Sequence, residues 1–157
     1  MTVTFLTVGK PPRDWTADAV VHYSRFLAKY ATVVVDHVRA VSGRDRSDDD
    51  VRDVESERVA ERLAKHRGAA IIVCDRRGES KDSVAFAKTL RTLLDSHGGH
   101  CVITLGGACG LNDAVTARAD YVWSFGPMTL PHDLALLTAM EQVARAFSIG
   151  RGESYHK

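Results

Sequence analysis

The chain has 157 residues, 45% of them hydrophobic and 26% charged, with a formal net charge of +1. That length suits one domain, residues 1–157, with a sizeable core, and the composition is that of an ordinary globular protein. No apolar run is long enough to cross a bilayer, and the near-neutral charge excludes RNA binding through bulk basicity, leaving only a local patch or one shared between subunits.

The opening MTVTFLTVGK lacks a basic n-region and a cleavage site, so it reads as a strand and not a signal peptide. VTFLTVG (3–9) is a short apolar run closed by glycine. Asp14 is expected to cap a helix through about Tyr30, with Trp15, Ala19, Tyr23, Phe26 and Tyr30 at helical spacing. TVVVDHV (32–38) is β-branched and reads as a strand. Residues 39–50 are polar and charged and read as a mobile loop; Ser47–Asp50 then offer an N-cap and an acidic first turn for a helix to about His66.

AAIIVCD (69–75) is the strongest strand signal, and RRGES after it reads as a turn. SVAFAKTLRTLLDSH (83–97) reads as a helix with Val84, Ala87, Leu90 and Leu94 on one face and Gly98 as its stop. HCVITLGG (100–107) is a continuous apolar strand. LNDAVTARA is a short helix with Asn112 or Asp113 near its cap, and DYVWSF (120–125) a strand. Pro131 suits the first turn of the last helix, where Leu134, Leu137, Met140 or Glu141, Ala144 and Phe147 recur at spacings of three and four. Strands without internal alternation, separated by helices, predict an α/β protein with a parallel sheet covered on both faces. Ligands in such sheets bind beyond the carboxyl ends of the strands, here Gly9, Asp75–Gly78, Gly106–Gly110 and Phe125–Leu130.

LGGACG (105–110) lies between a strand and a helix, where glycines let backbone approach a ligand closely. It matches neither GxGxxG nor GxxxxGK[ST], and a tight strand-to-helix turn accounts for it equally well. FGPMTLP (125–131) is an apolar loop. Beside a glycine turn it suits a flat aromatic ligand whose edge is read by backbone groups; packing against the core or a second subunit is the alternative. The seven histidines show no HxxxH or HExxH spacing, so no metal is expected. The three cysteines form no CxxC and read as reduced thiols of a cytoplasmic protein; Cys109 lacks a neighbour spaced to activate it. His132 opens the last helix beside the apolar loop, and Arg145 stands four residues after Glu141, the spacing of a helical ion pair. The chain ends GRGESYHK, placing Tyr155 and His156 where chain ends usually fray.

Taken together, LGG-x-x-G-L, MTLPH about twenty residues on, and EQ-x-x-RAFSI-x-RGE-x-YHK at the end closely resemble the ribosomal RNA large-subunit methyltransferase H family. V-x-F-L-x-VGK and the strand followed by RRGES fit too, so the resemblance covers essentially the whole chain and is most specific over 105–157. It implies a parallel-sheet SPOUT methyltransferase fold with a C-terminal trefoil knot, a topology that composition and periodicity do not reveal. It implies a homodimer that methylates N3 of a pseudouridine in 23S rRNA within the ribosome, using S-adenosyl-L-methionine, without a metal or a membrane. Position by position, it implies donor contacts from Cys74, Gly106, Phe125, Gly126, Pro127, Met128, Thr129 and Leu130. For catalysis it leaves His156 and His132 as candidate bases, Arg145 as a cation beside the developing imide anion, and Tyr155 to stack on or hydrogen-bond a flipped base; Arg151 and Lys157 suit phosphates. The chain departs from the family at Cys74, commonly leucine, and at Ala144, commonly tyrosine. The second change is expected to remove an aromatic surface from the face that holds the base or the partner subunit.

Overall fold

The computed structural model describes residues 1–155. β1 (Thr2–Val8) turns Val3 and Phe5 to one side and Leu6 and Val8 to the other, and all four are buried. The sheet carries strands in the order β2–β1–β4–β3–β5, with β2 at Thr32–Val38, β3 at Ala70–Glu79, β4 at His100–Leu105 and β5 at Tyr121–Trp123. Every strand pair is parallel. Helices α1 (Asp14–Leu27), α3 (Ser83–Ser96) and α5 (His132–Gly150) pack together over one face. Helices α2 (Asp48–Leu63) and α4 (Asp113–Thr116) cover the other. Alternate residues of β4 serve the two cores: Cys101, Ile103 and Leu105 join the cluster under α1, α3 and α5, and Val102 joins the one under α2 and α4. Apolar runs without alternation follow from burial on both faces.

The helix starts are local. Ser47 and Asp50 form a reciprocal capping box on α2, Asp82 accepts from Ala85 N (2.7 Å) at α3, and Asn112 accepts from Val115 N (3.3 Å) at α4. α1 differs from expectation. Arg13 occupies its N-cap position without a side-chain hydrogen bond, and Asp14 is the first helical residue, at φ 55°. Its inward face runs through Thr16, Tyr23, Leu27 and Tyr30, leaving Trp15 63% exposed. Pro131 stands at the N-cap of α5 and not inside its first turn.

RRGES is not a turn. β3 continues through it to Glu79 and, after a register shift, pairs Glu79 with Trp123 of β5. The Tyr121 hydroxyl and Ser124 N both donate to Glu79 O (3.0 and 3.1 Å), and Ser124 Oγ donates to Arg76 O (3.3 Å). A Cβ on Gly78 would lie 2.5 Å from Val122 O, so only glycine lets the strands approach this closely. Pairing with a strand 44 positions away leaves no local signal in RRGES, whose glycine and charges read as a turn.

Ala144 is fully buried in the core under α1, α3 and α5. The side chain at that position faces the chain's own interior, which corrects the expectation that it contacts the base or a partner.

Candidate functional site

β3, β4 and β5 end side by side, and the segments leaving them enclose a cleft of about 920 Å³. One wall is the glycine turn after β4. A Cβ on Gly106 would sit 2.9 Å from Gly110 C and 3.0 Å from Leu111 Cγ, so the chain folds directly on itself there. Gly110 N closes the turn onto Gly107 O (3.0 Å), with Gly110 at φ 75°. The turn is fastened from below by α2: Asn112 N donates to the buried Ser56 Oγ, and Asn112 Nδ2 to Asp53 Oδ1, both at 2.9 Å. The opposite wall is the loop after β5. Gly126 N donates to Ser124 Oγ (3.1 Å), and Phe125 stands edge-on to Trp123 with ring centres 4.7 Å apart.

Of the positions expected to touch a methyl donor, Cys74, Gly106, Phe125, Gly126, Met128, Thr129 and Leu130 all line this cleft, and Pro127 does not. Burial pushes the Cys74 thiol up, which keeps it protonated and makes it an apolar contact rather than a nucleophile. The cleft is of the size that encloses a nucleoside-scale ligand, with apolar side chains for its flat faces and backbone groups for its edges. The residues present therefore fit S-adenosylmethionine.

Sequence reasoning placed Asp75–Gly78 at the ligand edge but missed several contacts at this cleft. Arg77 bridges Asp75 (Nε to Oδ1, 3.1 Å) and Asp113 (Nη1 to Oδ1, 2.9 Å), tying the β3 extension to α4. Burial works to raise the Asp75 carboxyl, but its hydrogen bonds from Arg77 prevail and hold it below the usual carboxylate range. Arg52 and Arg76 line the same cleft. The partners are 36 or more positions apart for Arg77–Asp113 and for the α2 contacts to Asn112, so no local motif announces them.

The expected catalytic residues fall into two groups. His132 stands behind the glycine turn, its Nδ1 3.3 Å from Gly106 O. Arg145 and Tyr155 lie together at the other end of α5. Arg145 is paired with Glu141 (Nη2 to Oε1, 2.5 Å), and its guanidinium lies 5.0 Å over the Tyr155 ring. The Tyr155 hydroxyl reaches Glu141 Oε1 (3.3 Å), and its ring packs 4.9 Å from Phe26. Burial, then Tyr23 and Glu141, pushes the Tyr155 phenol up to about 12, so at neutral pH it donates and does not act as a base. The tail reaches this place through a turn with Gly152 at φ 68° and Glu153 N donating to Ser148 O (3.0 Å). Arg151 lies over the Tyr30 ring at 4.5 Å. His156 and Lys157 fall outside the described residues. Ala135 lines the cleft and Arg145 follows ten residues later, so about 15 Å of helix separates the two groups within one chain.

Among the described residues no cluster of three or more His, Cys, Asp or Glu side chains could hold a metal ion, and no helix is long and apolar enough to cross a membrane.

Similarity to known proteins runs the length of the chain. Residues 1–156 match the family model described as predicted SPOUT methyltransferase. The chain is 39% identical over 157 residues to a protein of Gemmatimonas aurantiaca named ribosomal RNA large subunit methyltransferase H, covering 100% of both. Relatives of the same name from Bifidobacterium adolescentis and Lactobacillus acidophilus are 34% and 32% identical, also over 100% of both chains. Among solved structures, a probable methylase family protein of Haemophilus influenzae aligns with a TM-score of 0.54 at 12% identity, over 99% of this chain and 70% of that one. The tRNA (m1G37) methyltransferase of Aquifex aeolicus aligns with a TM-score of 0.53 at 15% identity, over 92% and 70%. At those identities the structures establish the fold alone. With the family model and the full-length relatives in agreement, the chain belongs to the SPOUT methyltransferase family.

Proposed function

We propose that the protein, as a cytoplasmic homodimer, transfers a methyl group from S-adenosylmethionine to N3 of a pseudouridine in 23S rRNA of the assembled ribosome. The observation that carries this reading is the convergence of Cys74, the glycine turn and the loop after β5 on one cleft, in a chain that relatives named for large-subunit rRNA methylation match end to end. The C-terminal trefoil knot that the sequence resemblance implies is part of this reading.

The sulfonium of the donor is already activated, so the protein's share is mainly placement, and orientation is worth roughly 7–11 kcal/mol. The glycine turn and the 125–130 loop hold the donor. The imide N–H must be lost, and a base in reach contributes about 10²–10⁴-fold. In this reading Arg145 and Tyr155 act on the target base, Arg145 against its negative charge and Tyr155 as donor or stacking surface. The separation of about 15 Å along α5 puts these residues out of reach of their own chain's cleft and favours a site completed by a second copy. Exposed Trp15 and Leu134 support the same arrangement. They sit at neighbouring starts of α1 and α5, where Thr16 Oγ1 donates to Asp133 Oδ2 (3.3 Å), and offer apolar surface for a partner.

The test is incubation of the protein with S-adenosylmethionine and assembled ribosomes lacking the modification, followed by nuclease digestion and mass spectrometry. A new 3-methylpseudouridine in one stem-loop is expected. Donor binding without any methylated nucleotide would overturn the reading.

A further inference from the structure

Three buried side-chain polar atoms lack a hydrogen-bond partner among the described residues: Glu55 Oε2, Thr104 Oγ1 and His132 Nε2. Glu55 and His132 line the same place, a second cavity of about 560 Å³ that adjoins the donor cleft along Gly107–Cys109. Unpaired polar atoms in a protein interior are costly, and two in one wall point to something that occupies it.

The chemistry of that occupant follows from the two atoms. Glu55 is 3% exposed, and its other oxygen, Oε1, accepts from Val41 N (2.9 Å), leaving Oε2 as a free acceptor. His132 Nδ1 faces the Gly106 carbonyl, which only accepts, so in the neutral ring Nδ1 carries the hydrogen and Nε2 presents a lone pair. The pair thus offers acceptors and no donor. Glycine backbone passes close to both atoms. A Cβ on Gly107 would lie 2.3 Å from Glu55 Oε2, and Gly9, at φ +130°, faces His132 Nε2 without a side chain. Exposed Lys10 and Arg13 line the same cavity and supply cations for a phosphate.

We propose that this cavity receives the pyrimidine ring of the target nucleotide and that Glu55 and His132 accept its N1–H. In uridine N1 is bonded to the ribose and bears no hydrogen. In pseudouridine the ribose is on C5 and N1–H is free, so an acceptor at N1 distinguishes the two. This inference rests on the rRNA reading above and adds to it the means by which the site selects the C-glycoside. A buried group left unpaired by the wrong substrate is the strongest form of rejection available to a binding site.

The test compares kcat/KM on two otherwise identical unmethylated ribosome preparations, one carrying pseudouridine at the target position and one carrying uridine. The wild-type protein is expected to favour pseudouridine at least tenfold. Glu55→Gln keeps the shape and the contact to Val41 but turns the free acceptor into a donor. It is expected to lower kcat/KM on pseudouridine by ten- to a hundredfold, to lower the pseudouridine-to-uridine ratio at least several-fold, and to leave the calorimetric Kd for S-adenosylmethionine unaltered. His132→Asn, which retains a donor toward Gly106 and withdraws the acceptor at Nε2, should lower the pseudouridine-to-uridine ratio even where it slows both substrates, and carries the test if Glu55→Gln fails to fold. A wild-type ratio near one, a ratio preserved in the variants, or loss of donor affinity in parallel would each overturn the proposal. Wild-type protein that methylates neither preparation removes the rRNA reading itself, whereas methylation of pseudouridine with an unchanged ratio in the variants removes only this subsite.

Discussion

At the scale of residues, Gly106 carries a prediction because its neighbours leave no room. A methyl group on Gly106 meets Gly110 and Leu111 at 2.9 to 3.1 Å, inside the turn that forms one wall of the donor cleft. Gly106→Ala is expected to weaken S-adenosylmethionine binding by calorimetry and to cost about 1–3 kcal/mol of stability in urea unfolding. Unchanged donor affinity would separate the turn from the donor. His37 carries a pH prediction. Burial lowers its pKa, opposed by Asp36 and reinforced by His132, and its Nδ1 is 2.6 Å from Thr7 Oγ1. The folded pKa lies below the unfolded value of about 6.5, so the unfolded chain binds more protons between the two. The stability from neutral His37 is therefore fully present above pH ~6.5 and lost as pH falls through the folded pKa. Thermal midpoints measured from pH 7 down to 5 should fall, and the fall should be shallower in His37→Asn. Asp75 acts with the same sign at lower pH, since its depressed pKa gives stability that is lost only as pH drops below the usual carboxylate range.

At the scale of elements, the long apolar strands and the capped helices were legible. Ser47, Asp82 and Asn112 hold helix starts through contacts three residues away, and β4 is buried from residue 101 to 105 because both its faces are covered. The extension of β3 and the direction of α1 were not legible. Glu79 pairs across space with Trp123, and Trp15 matches the helical spacing yet points outward, because periodicity fixes a stripe without saying which edge of it meets the core. α5 gives the prediction at this scale. Ala144 is fully buried between its helix and the core, so Ala144→Tyr should lose about 1–3 kcal/mol of stability by overpacking, read from the urea midpoint. A variant as stable as the wild type would mean that this part of the core has room for a ring.

At the scale of the whole molecule, the two halves of the proposed site stand at opposite ends of α5. Mixing a Gly106→Val protein with a Tyr155→Ala protein, each inactive alone, should restore methyl transfer through mixed dimers in which one intact cleft meets one intact tail. Failure to restore it, with mixed dimers demonstrated by native mass spectrometry, would place the whole site in one chain. Deleting residues 154–157 should abolish transfer while leaving donor binding intact, and full activity in the truncated protein would detach the tail from catalysis.

The sequence by itself determined the α/β class, the order of elements and the segments at the carboxyl edge of the sheet. Each of these depends on hydrophobic period, capping and turn chemistry within a few residues. It also carried the family, because LGG, MTLPH and the RGE-x-YHK ending are local strings. Only the tertiary structure decided that Asp75, Arg77 and Asp113 join at the cleft, that Asp53 and Ser56 fasten the glycine turn, and that Glu55 and His132 share a second cavity. These groupings are made by packing one element against another across dozens of positions. Contacts between elements so far apart in the chain leave no period in its sequence.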